Sequence, residues 1–306
     1  MAILYGVIAA FFFSLTFVLN EVMHSAGGNW LWTACLRFFF MLPFFFCFVI
    51  GRKGKGLIIF QKVRQQPWRW ILWSQVGFGA FYVPLTFAST LAPGWLIAST
   101  WQITIVAGSL CAPFLTKDPQ VRLASRMTGR DIVAFGSILL GILLIELKQL
   151  SIKTGGGSLL AFWFVLFAAF AYPIGNRKIM QVNQEQTPEL VTGDRIFAMI
   201  VCSLPTWLIC AGIAYYQSGW PTANQQVSSF IVALSSGVIA TFLFFYATQL
   251  VQNNLAKLAT IEATQSLEVL FSLLLGMLFL HSMVPGYLAW LGVVCIILGV
   301  VYKIRE

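Results

Sequence analysis

The sequence predicts an all-α, polytopic membrane protein, and three observations support this fold class. The chain has 306 residues, of which 59% are hydrophobic and only 9% are charged, whereas a soluble domain needs roughly a quarter charged residues to cover its surface. Apolar runs long enough to cross a bilayer as helices recur along the whole chain. These runs lack the strict polar–apolar alternation of barrel strands, which excludes an outer-membrane barrel.

Ten membrane spans are predicted, separated by connections that carry turn or charge signals such as LAPG and HSAGGN. The spans cover residues 2–22, 30–50, 70–90, 95–116, 131–148, 157–176, 193–215, 229–250, 256–280 and 284–303. No connection is long enough to form a separate soluble domain. All the chemistry is therefore expected within the bilayer.

The orientation follows from the basic residues, which concentrate in every second connection. Residues 51–69 hold six Lys and Arg side chains and residues 117–130 hold four, whereas only Lys148 and Lys153 fall on the opposite side. Cytoplasmic loops carry this excess of positive charge. We therefore expect a multi-pass protein of the cytoplasmic membrane with both termini in the cytoplasm, and the net charge of +9 does not indicate nucleic-acid binding.

Sequence patterns typical of enzymes are missing. The chain has no HExxH, GxSxG or phosphate-binding loop. Its six cysteines all fall inside apolar runs without CxxC spacing, as expected of buried, inert thiols. We expect no catalysis, no metal and no cofactor, and transport driven by a gradient rather than by nucleotide hydrolysis.

The two halves of the sequence resemble each other. Similar segments follow in the same order, at an offset that grows from 156 to 164 residues: Asn20 with Asn176, RFFFM (37–41) with RIFAM (195–199), LTFAST (85–90) with FFYATQ (244–249), and Thr100 with Thr264. An odd number of spans per half turns the second copy upside down. We therefore expect two inverted five-helix repeats, 1–150 and 151–306, with a binding site between them near the membrane midplane.

Small residues predict a contact between the two halves. Gly108-xxx-Ala112 and Ser272-xxx-Gly276 occupy equivalent places in spans 4 and 9. Small residues four positions apart let membrane helices approach closely, so we expect these two spans to pack together.

Several segments also resemble a known family. GFGAFYVPLTFAS, GVIATFLFFYATQ and SLEVLFSLLLGMLFL are similar to the third, eighth and ninth helices of the drug/metabolite transporter superfamily in its ten-helix, EamA-like form. FAYPIGNRKIM (170–180) is similar to the branch of multidrug resistance efflux transporters. The chain departs from the pattern at Val269 and Lys117, where many members have Pro and Glu. The resemblance implies secondary transport by alternating access.

Glu268 is the leading functional candidate. It lies well inside span 9, and ionisable groups within the membrane are functional by default. A carboxyl group there could exchange a proton or pair with a cationic substrate. The structural alternative is a Glu neutralised by an arginine or hydrogen-bonded across helices.

Two further carboxylates are weaker candidates. Glu262 lies six residues earlier in the same span, about 120° around a continuous helix, so the two carboxylates do not share one face and we expect no tight pair. Glu262 could line the cytoplasmic entrance, pair with Lys257 or contact substrate. Glu21 lies near the outer end of span 1, where it is either a solvated interfacial group or a counterpart of the first-helix Glu of the family's small four-helix relatives.

Arg37 lies about a third of the way into span 2. A buried arginine usually pairs with a carboxylate or with carbonyl groups. We favour a structural ion pair between Arg37 and Glu21, with binding of an anionic substrate as the alternative.

Polar and aromatic residues near the middle of the spans form a third group of candidates. Their rings could stack on an aromatic or cationic ligand, although each residue alone could equally serve packing. They are Tyr82, Trp101, Gln102, Thr104, Tyr172, Tyr246, Thr264 and Gln265.

The sequence therefore predicts a secondary transporter that exports a small cationic or aromatic molecule, with protons as the coupling ion. An importer or exchanger of a metabolite such as an amino acid or nucleobase is the alternative within transport. A membrane sensor or enzyme is the alternative outside it. The expected partners are the substrate and the lipid bilayer, and the sequence leaves both a monomer and a homodimer open.

Overall fold

The computed structural model describes residues 1–51, 55–115, 128–151, 157–251, 255–280 and 286–304. These residues form helices and turns without a β-strand. The first six helices are α1 Ala2–Ser25, α2 Trp30–Ile50, α3 Lys55–Gln65, α4 Pro67–Ala88, α5 Gly94–Leu115 and α6 Gly129–Ser151. The next six are α7 Gly157–Gln184, α8 Thr192–Ser218, α9 Ala223–Leu250, α10 Leu255–Thr264, α11 Leu267–Leu280 and α12 Tyr287–Ile304.

Seven helices in the described part are long and apolar enough to cross a membrane. They are α1, α2, α4, α5, α7, α8 and α9, and they lie at predicted spans 1 to 4 and 6 to 8. The prediction of an all-helical membrane protein is therefore confirmed. Predicted spans 5 and 10 are helical too, as α6 and α12. Predicted span 9 is not one continuous helix, because α10 ends at Thr264 and α11 begins at Leu267.

Helix ends follow local sequence signals. The Asn29 side chain caps α2 by accepting a hydrogen bond of 2.9 Å from the Leu31 N–H. Gly27 supplies the positive φ of 78° that the preceding turn requires. The Thr222 side chain likewise caps α9, by accepting from the Gln225 N–H, so local turn chemistry determines where both helices begin.

Three of the long helices carry internal irregularities. π-Helical segments interrupt α4 at Gln75–Gly79 and α9 at Ala233–Ala240. In α5 the chain tightens at Gln102, whose N–H bonds to the Ser99 carbonyl three residues back. Such departures from α-helix geometry are frequent at functional sites.

Helix α1 lies at the centre of the bundle, because it contacts α2, α5, α9, α10 and α11. Its buried face carries small residues, among them Gly6, Ala9 and Ala10. A Cβ at Gly6 would come within 2.5 Å of the Thr264 hydroxyl, so the close approach of α10 requires glycine there. At the periphery, α6 and α12 cross equally closely, and the Gly141 and Gly292 Cα atoms each face the other's carbonyl.

Candidate functional site

Two charged side chains are buried among the helices that surround α1. Arg37 of α2 is 4% exposed and Glu268 of α11 is 2% exposed. Arg37 reaches Thr16 on α1, whereas Phe271, one turn beyond Glu268, contacts Phe11 on the same helix. Thr16 and Phe11 lie five residues apart on α1, which rises about 1.5 Å per residue, and Glu268 lies a further turn away from Phe271. The two charges are therefore separated by roughly 10 Å along the axis of α1.

Arg37 is surrounded by neutral partners. Its guanidinium donates to the Ser236 hydroxyl at 3.0 Å and to the Thr16 hydroxyl at 3.5 Å. The guanidinium carbon also lies 4.4 Å from the centre of the Tyr82 ring, a cation–π contact. Ser236 comes from the π-helical segment of α9, so residues of four helices meet around this one charge.

Asn20 extends this cluster by one turn of α1. Its side-chain oxygen accepts a hydrogen bond of 3.3 Å from the Tyr82 hydroxyl. Two donors of the cluster have no partner within the described residues, the Asn20 Nδ2 and the Arg37 Nε. We call Thr16, Asn20, Arg37, Tyr82 and Ser236 the arginine cluster.

The predicted ion pair between Arg37 and Glu21 is wrong. The Glu21 carboxylate instead accepts a hydrogen bond of 2.7 Å from the Gly94 N–H at the start of α5. A carboxylate is favoured there because the positive end of the helix dipole faces it. The partners of Arg37 in the described part of the chain are the hydroxyls and the tyrosine ring named above, with the Phe38 ring farther away at 5.9 Å.

Glu268 lies in the first turn of α11, directly after the break between α10 and α11. Its N–H bonds to the Gln265 carbonyl at 2.9 Å, and the Val269 N–H bonds to the Ser266 carbonyl at 3.2 Å. Both bonds span three residues, which tightens the chain where the carboxylate begins. Within the described residues, no basic side chain forms an ion pair with Glu268.

The hydroxyl groups next to Glu268 along the chain turn back onto their own backbone. Thr264, Ser266 and Ser272 donate to carbonyls three residues earlier, at 2.7 to 3.0 Å. On α5, which packs against α11, Ser99 does the same toward Leu96. The carboxylate is thus buried beside hydroxyls that are already engaged.

Three of the four predicted aromatic candidates lie in one continuous group. Trp101 and Tyr172 have ring centres 5.5 Å apart, and both contact Phe81, at 5.0 and 4.8 Å. Phe81 in turn contacts the ring of Tyr82 at 5.7 Å. Tyr246 lies elsewhere, stacked on Phe242 with 39% of its surface exposed.

The remaining predicted residues are distributed around the break in span 9 and the tight turn in α5. Gln102 is fully buried, and its side-chain oxygen has no partner within the described residues. Thr104 follows it on α5 and is half-buried. Gln265 is buried next to Thr264, to which its amide donates at 3.4 Å. The side chain of Glu262 lies outside the described residues.

The expected packing of spans 4 and 9 takes a different form from the one predicted. Helices α5 and α11 do contact each other, through the Gly94–Trp101 half of α5. Gly108 instead faces Pro173 and Arg177 of α7. The small residues of span 4 therefore accommodate α7 rather than α11.

Sequence reasoning missed three members of the arginine cluster, namely Thr16, Asn20 and Ser236. Asn20 carried a usable signal, since a lone amide in an apolar run needs a buried polar partner. Thr16 and Ser236 had none, because serine and threonine in membrane helices usually bond to their own backbone. No group of three or more His, Cys, Asp or Glu side chains that could hold a metal occurs in the part of the chain described.

Comparison with known proteins agrees with this architecture. A family model described as EmrE, putative multidrug resistance efflux transporter, matches residues 1–306. Among curated relatives, the chain is 44% identical over 303 residues to the uncharacterized protein YjlA of Bacillus subtilis, covering 97% of this chain and 92% of that protein. It is 42% identical over 268 residues to an uncharacterized 42.1 kDa protein of Shouchella clausii, covering 87% and 69% of the two chains.

A solved structure described as "Crystal structure of protein" has the same fold, with a TM-score of 0.66 at 16% identity over 98% of this chain and 95% of that one. At this identity the likeness concerns the fold alone. Because the family model spans the whole sequence, the chain belongs to the family of putative multidrug resistance efflux transporters within the drug/metabolite transporter superfamily.

Proposed function

We propose that the protein is a secondary active transporter that exports a small cationic or aromatic compound by alternating access. The observation that carries the proposal is Glu268, a carboxyl group buried at a helix break without a basic partner in the described residues. Such a group can bind a proton or a cation and release it again when its surroundings change. Membership of a transporter family supports transport rather than catalysis.

The proposed architecture is ten crossings in two inverted five-helix repeats, 1–150 and 151–306. Hydrogen bonds and ion pairs near the ends of the helices support it, because each one joins two segments that ten crossings would put on the same side of the membrane. On the proposed outer side, the Asn29 amide donates to the Gln217 side chain and the Trp32 indole to the Gly219 carbonyl.

On the proposed cytoplasmic side, three further contacts each join segments that ten crossings would put on the same side of the membrane. Lys62 donates to the Gln186 carbonyl at 3.0 Å. Farther along, Lys178 donates to the Leu115 carbonyl at 3.1 Å. Near the C-terminus, Lys303 pairs with Asp131 at 3.0 Å. These contacts support the proposed number of crossings, and the proposed orientation with both termini in the cytoplasm rests on the basic residues alone.

Irregular helix geometry also recurs at corresponding places. The π-helical segments Gln75–Gly79 and Ala233–Ala240 overlap under the sequence offset that relates spans 3 and 8. The tight turn at Gln102 corresponds to the break at Gln265–Ser266 under the offset that relates spans 4 and 9. Helix interruptions next to the binding site are typical of inverted-repeat transporters.

The proposed cycle uses Glu268 as the group that changes charge. When Glu268 is protonated, its burial between α1 and α5 costs little, and the site can close. When it is ionised, it must contact water or a cationic group. Binding and release of a proton at this carboxylate would therefore couple proton flux to substrate flux, with the tight turn in α5 and the break in span 9 giving the helices freedom to move.

Flux measurements in proteoliposomes test this proposal. With ethidium as an aromatic-cation probe and phenylacetate as an aromatic-anion probe, each measured against protein-free vesicles, an imposed pH gradient should drive the flux of at least one probe across vesicles that contain the wild-type chain. Glu268→Gln should abolish this gradient-driven flux, because an amide cannot exchange a proton. Glu185→Gln, which changes an exposed carboxylate paired with Arg69, is the matched control. Equal gradient-driven flux in Glu268→Gln and wild type would remove Glu268 from the mechanism.

A further inference from the structure

Arg37 carries a charge that the described protein does not balance. A guanidinium stays protonated at any pH the protein meets. Burying such a charge is costly unless an anion pairs with it. Its partners are two neutral hydroxyls and aromatic rings, and no carboxylate lies in ion-pairing distance among the described residues.

The unsatisfied atoms of the cluster are all hydrogen-bond donors. Arg37 Nε and Asn20 Nδ2 are buried without a partner in the part of the chain described. The Asn20 oxygen is already occupied by the Tyr82 hydroxyl, so its amide nitrogen is left to donate. A group that satisfies both donors must present acceptor oxygens, and to balance the guanidinium it must also carry a negative charge.

Neither nearby carboxylate supplies that group. Glu21 lies one residue beyond Asn20 on α1, but its carboxylate is engaged by the Gly94 N–H. Glu268 belongs to α11, roughly 10 Å farther along α1. The missing anion therefore comes from outside the described chain.

The surroundings favour an aromatic ligand with one negative charge. The single guanidinium balances one charge, which suits a carboxylate better than a doubly charged phosphate, and its planar fork matches the two carboxylate oxygens. Beyond Tyr82, the rings of Phe81, Trp101 and Tyr172 continue as an aromatic wall. Aromatic side chains of this kind stack on ligand rings.

We propose that Arg37 and Asn20 form a carboxylate-binding subsite, and that the transported substrate is an aromatic compound that carries a carboxylate. This rests on the proposed transport function and narrows its two substrate classes to the aromatic one. The carboxylate binds to Arg37 Nε and Asn20 Nδ2, and the substrate ring lies against the wall formed by Phe81, Trp101 and Tyr172.

Ligand binding to the purified full-length chain in detergent tests the subsite independently of transport. The probes are phenylacetate, its neutral amide phenylacetamide, the cation phenethylamine and phenyl phosphate. Phenylacetate should raise the thermal unfolding midpoint, because a ligand that binds only the folded state stabilises it, and the amide should not. Arg37→Gln should lower the affinity for phenylacetate by about 10- to 100-fold, because this fold-change corresponds to the free energy of a hydrogen bond to a charged group.

Asn20→Asp supplies a second variant that does not depend on removing the arginine. Asn20 lies one turn from Thr16, which Arg37 contacts, so an introduced carboxylate would pair with Arg37 from within. This variant should unfold about 2–4 °C higher than wild type without ligand and should no longer bind phenylacetate. Arg37→Lys, which keeps the charge but loses the fork, should bind with intermediate affinity.

Several outcomes would overturn the subsite. They are wild-type protein stabilised by none of the probes, equal binding of phenylacetate and phenylacetamide, tighter binding of phenyl phosphate or phenethylamine, and undiminished phenylacetate binding by Arg37→Gln or Asn20→Asp. None of these readouts involves Glu268 or a pH gradient. Failure of the subsite is therefore distinguishable from failure of proton-coupled transport.

Discussion

The arginine cluster and the surroundings of Glu268 both hold a buried ionisable group, but their hydroxyl groups form different hydrogen bonds. Both charges are buried next to α1. Around Arg37, the hydroxyls of Thr16 and Ser236 accept from the guanidinium. Along the chain around Glu268, Ser266 and Ser272 bond to their own backbone instead.

The difference follows from the chemistry of the two groups. A carboxyl group can take up a proton and become neutral, so it can be buried without partners. A guanidinium cannot lose its proton under ordinary conditions, so it needs polar partners in every state of the protein. The hydroxyl groups near the arginine are therefore directed at its charge, whereas those near Glu268 bond to their own backbone.

The two charges are accordingly suited to different tasks. A group that is stable only when neutral is suited to change its protonation during a cycle. A permanently charged group with one unsatisfied donor of its own and a second on the neighbouring Asn20 is suited to hold an anion. We infer that Glu268 serves coupling and Arg37 serves recognition.

The largest expected effect comes from removing the ring that faces Arg37. Tyr82→Leu deletes the cation–π contact and the hydroxyl partner of Asn20, and it leaves a cavity at a fully buried position. We expect a loss of about 3 kcal/mol or more in the free energy of unfolding. Thermal unfolding of the purified chain measures the loss.

Tyr246→Leu is the matched control for this substitution. Tyr246 is 39% exposed and contacts other aromatic rings rather than a charge, so its replacement should cost about 1 kcal/mol or less. Tyr82→Phe keeps the ring and should retain most of the stability of wild type. Similar losses for Tyr82→Leu and Tyr246→Leu would contradict the role of Tyr82 as a partner of the charge.

The second effect separates two serines that are equally buried. Ser236→Ala removes an acceptor from Arg37 and should cost about 1.5–3 kcal/mol, the range for hydrogen bonds to charged groups. Ser272→Ala removes a hydroxyl that bonds to its own backbone and should cost less than about 1 kcal/mol. Unfolding midpoints of the two variants, compared under one set of conditions, give the difference. Equal costs would mean that the guanidinium does not depend on its neutral partners.

The sequence was sufficient to predict the class and most helix positions. Hydrophobic run length decides whether a segment can span a bilayer, and it located α1, α2 and α8 within a few residues. It also identified Arg37 and Glu268, because a charge inside such a run is rare enough to be informative.

The partners of those charges could not be predicted from the sequence. The pair of Arg37 with Glu21 was inferred from their shared depth, but the Gly94 N–H, distant in sequence, engages the carboxylate. The break of span 9 at Gln265 carries no Gly or Pro, and its polar residues Thr264 and Gln265 were interpreted as binding candidates rather than as a helix break. Tyr246 and Tyr82 looked alike in the sequence, and only the packing of α4 and α9 distinguishes them.

The smallest expected effect concerns a third carboxylate, which has a permanent partner. Glu21 accepts a hydrogen bond from the Gly94 N–H at the positive end of α5, so Glu21→Gln keeps an acceptor oxygen and loses only the interaction of its charge with the helix end. The expected cost is about 0.3–1 kcal/mol. Glu268→Gln keeps the shape of the side chain and removes its ability to exchange a proton, so it should leave stability nearly unchanged while abolishing coupled flux. Thermal unfolding and proteoliposome flux on both variants distinguish a carboxylate that caps a helix from one that carries protons. A loss of coupled flux in Glu21→Gln equal to that in Glu268→Gln would contradict the assignment of coupling to Glu268 alone.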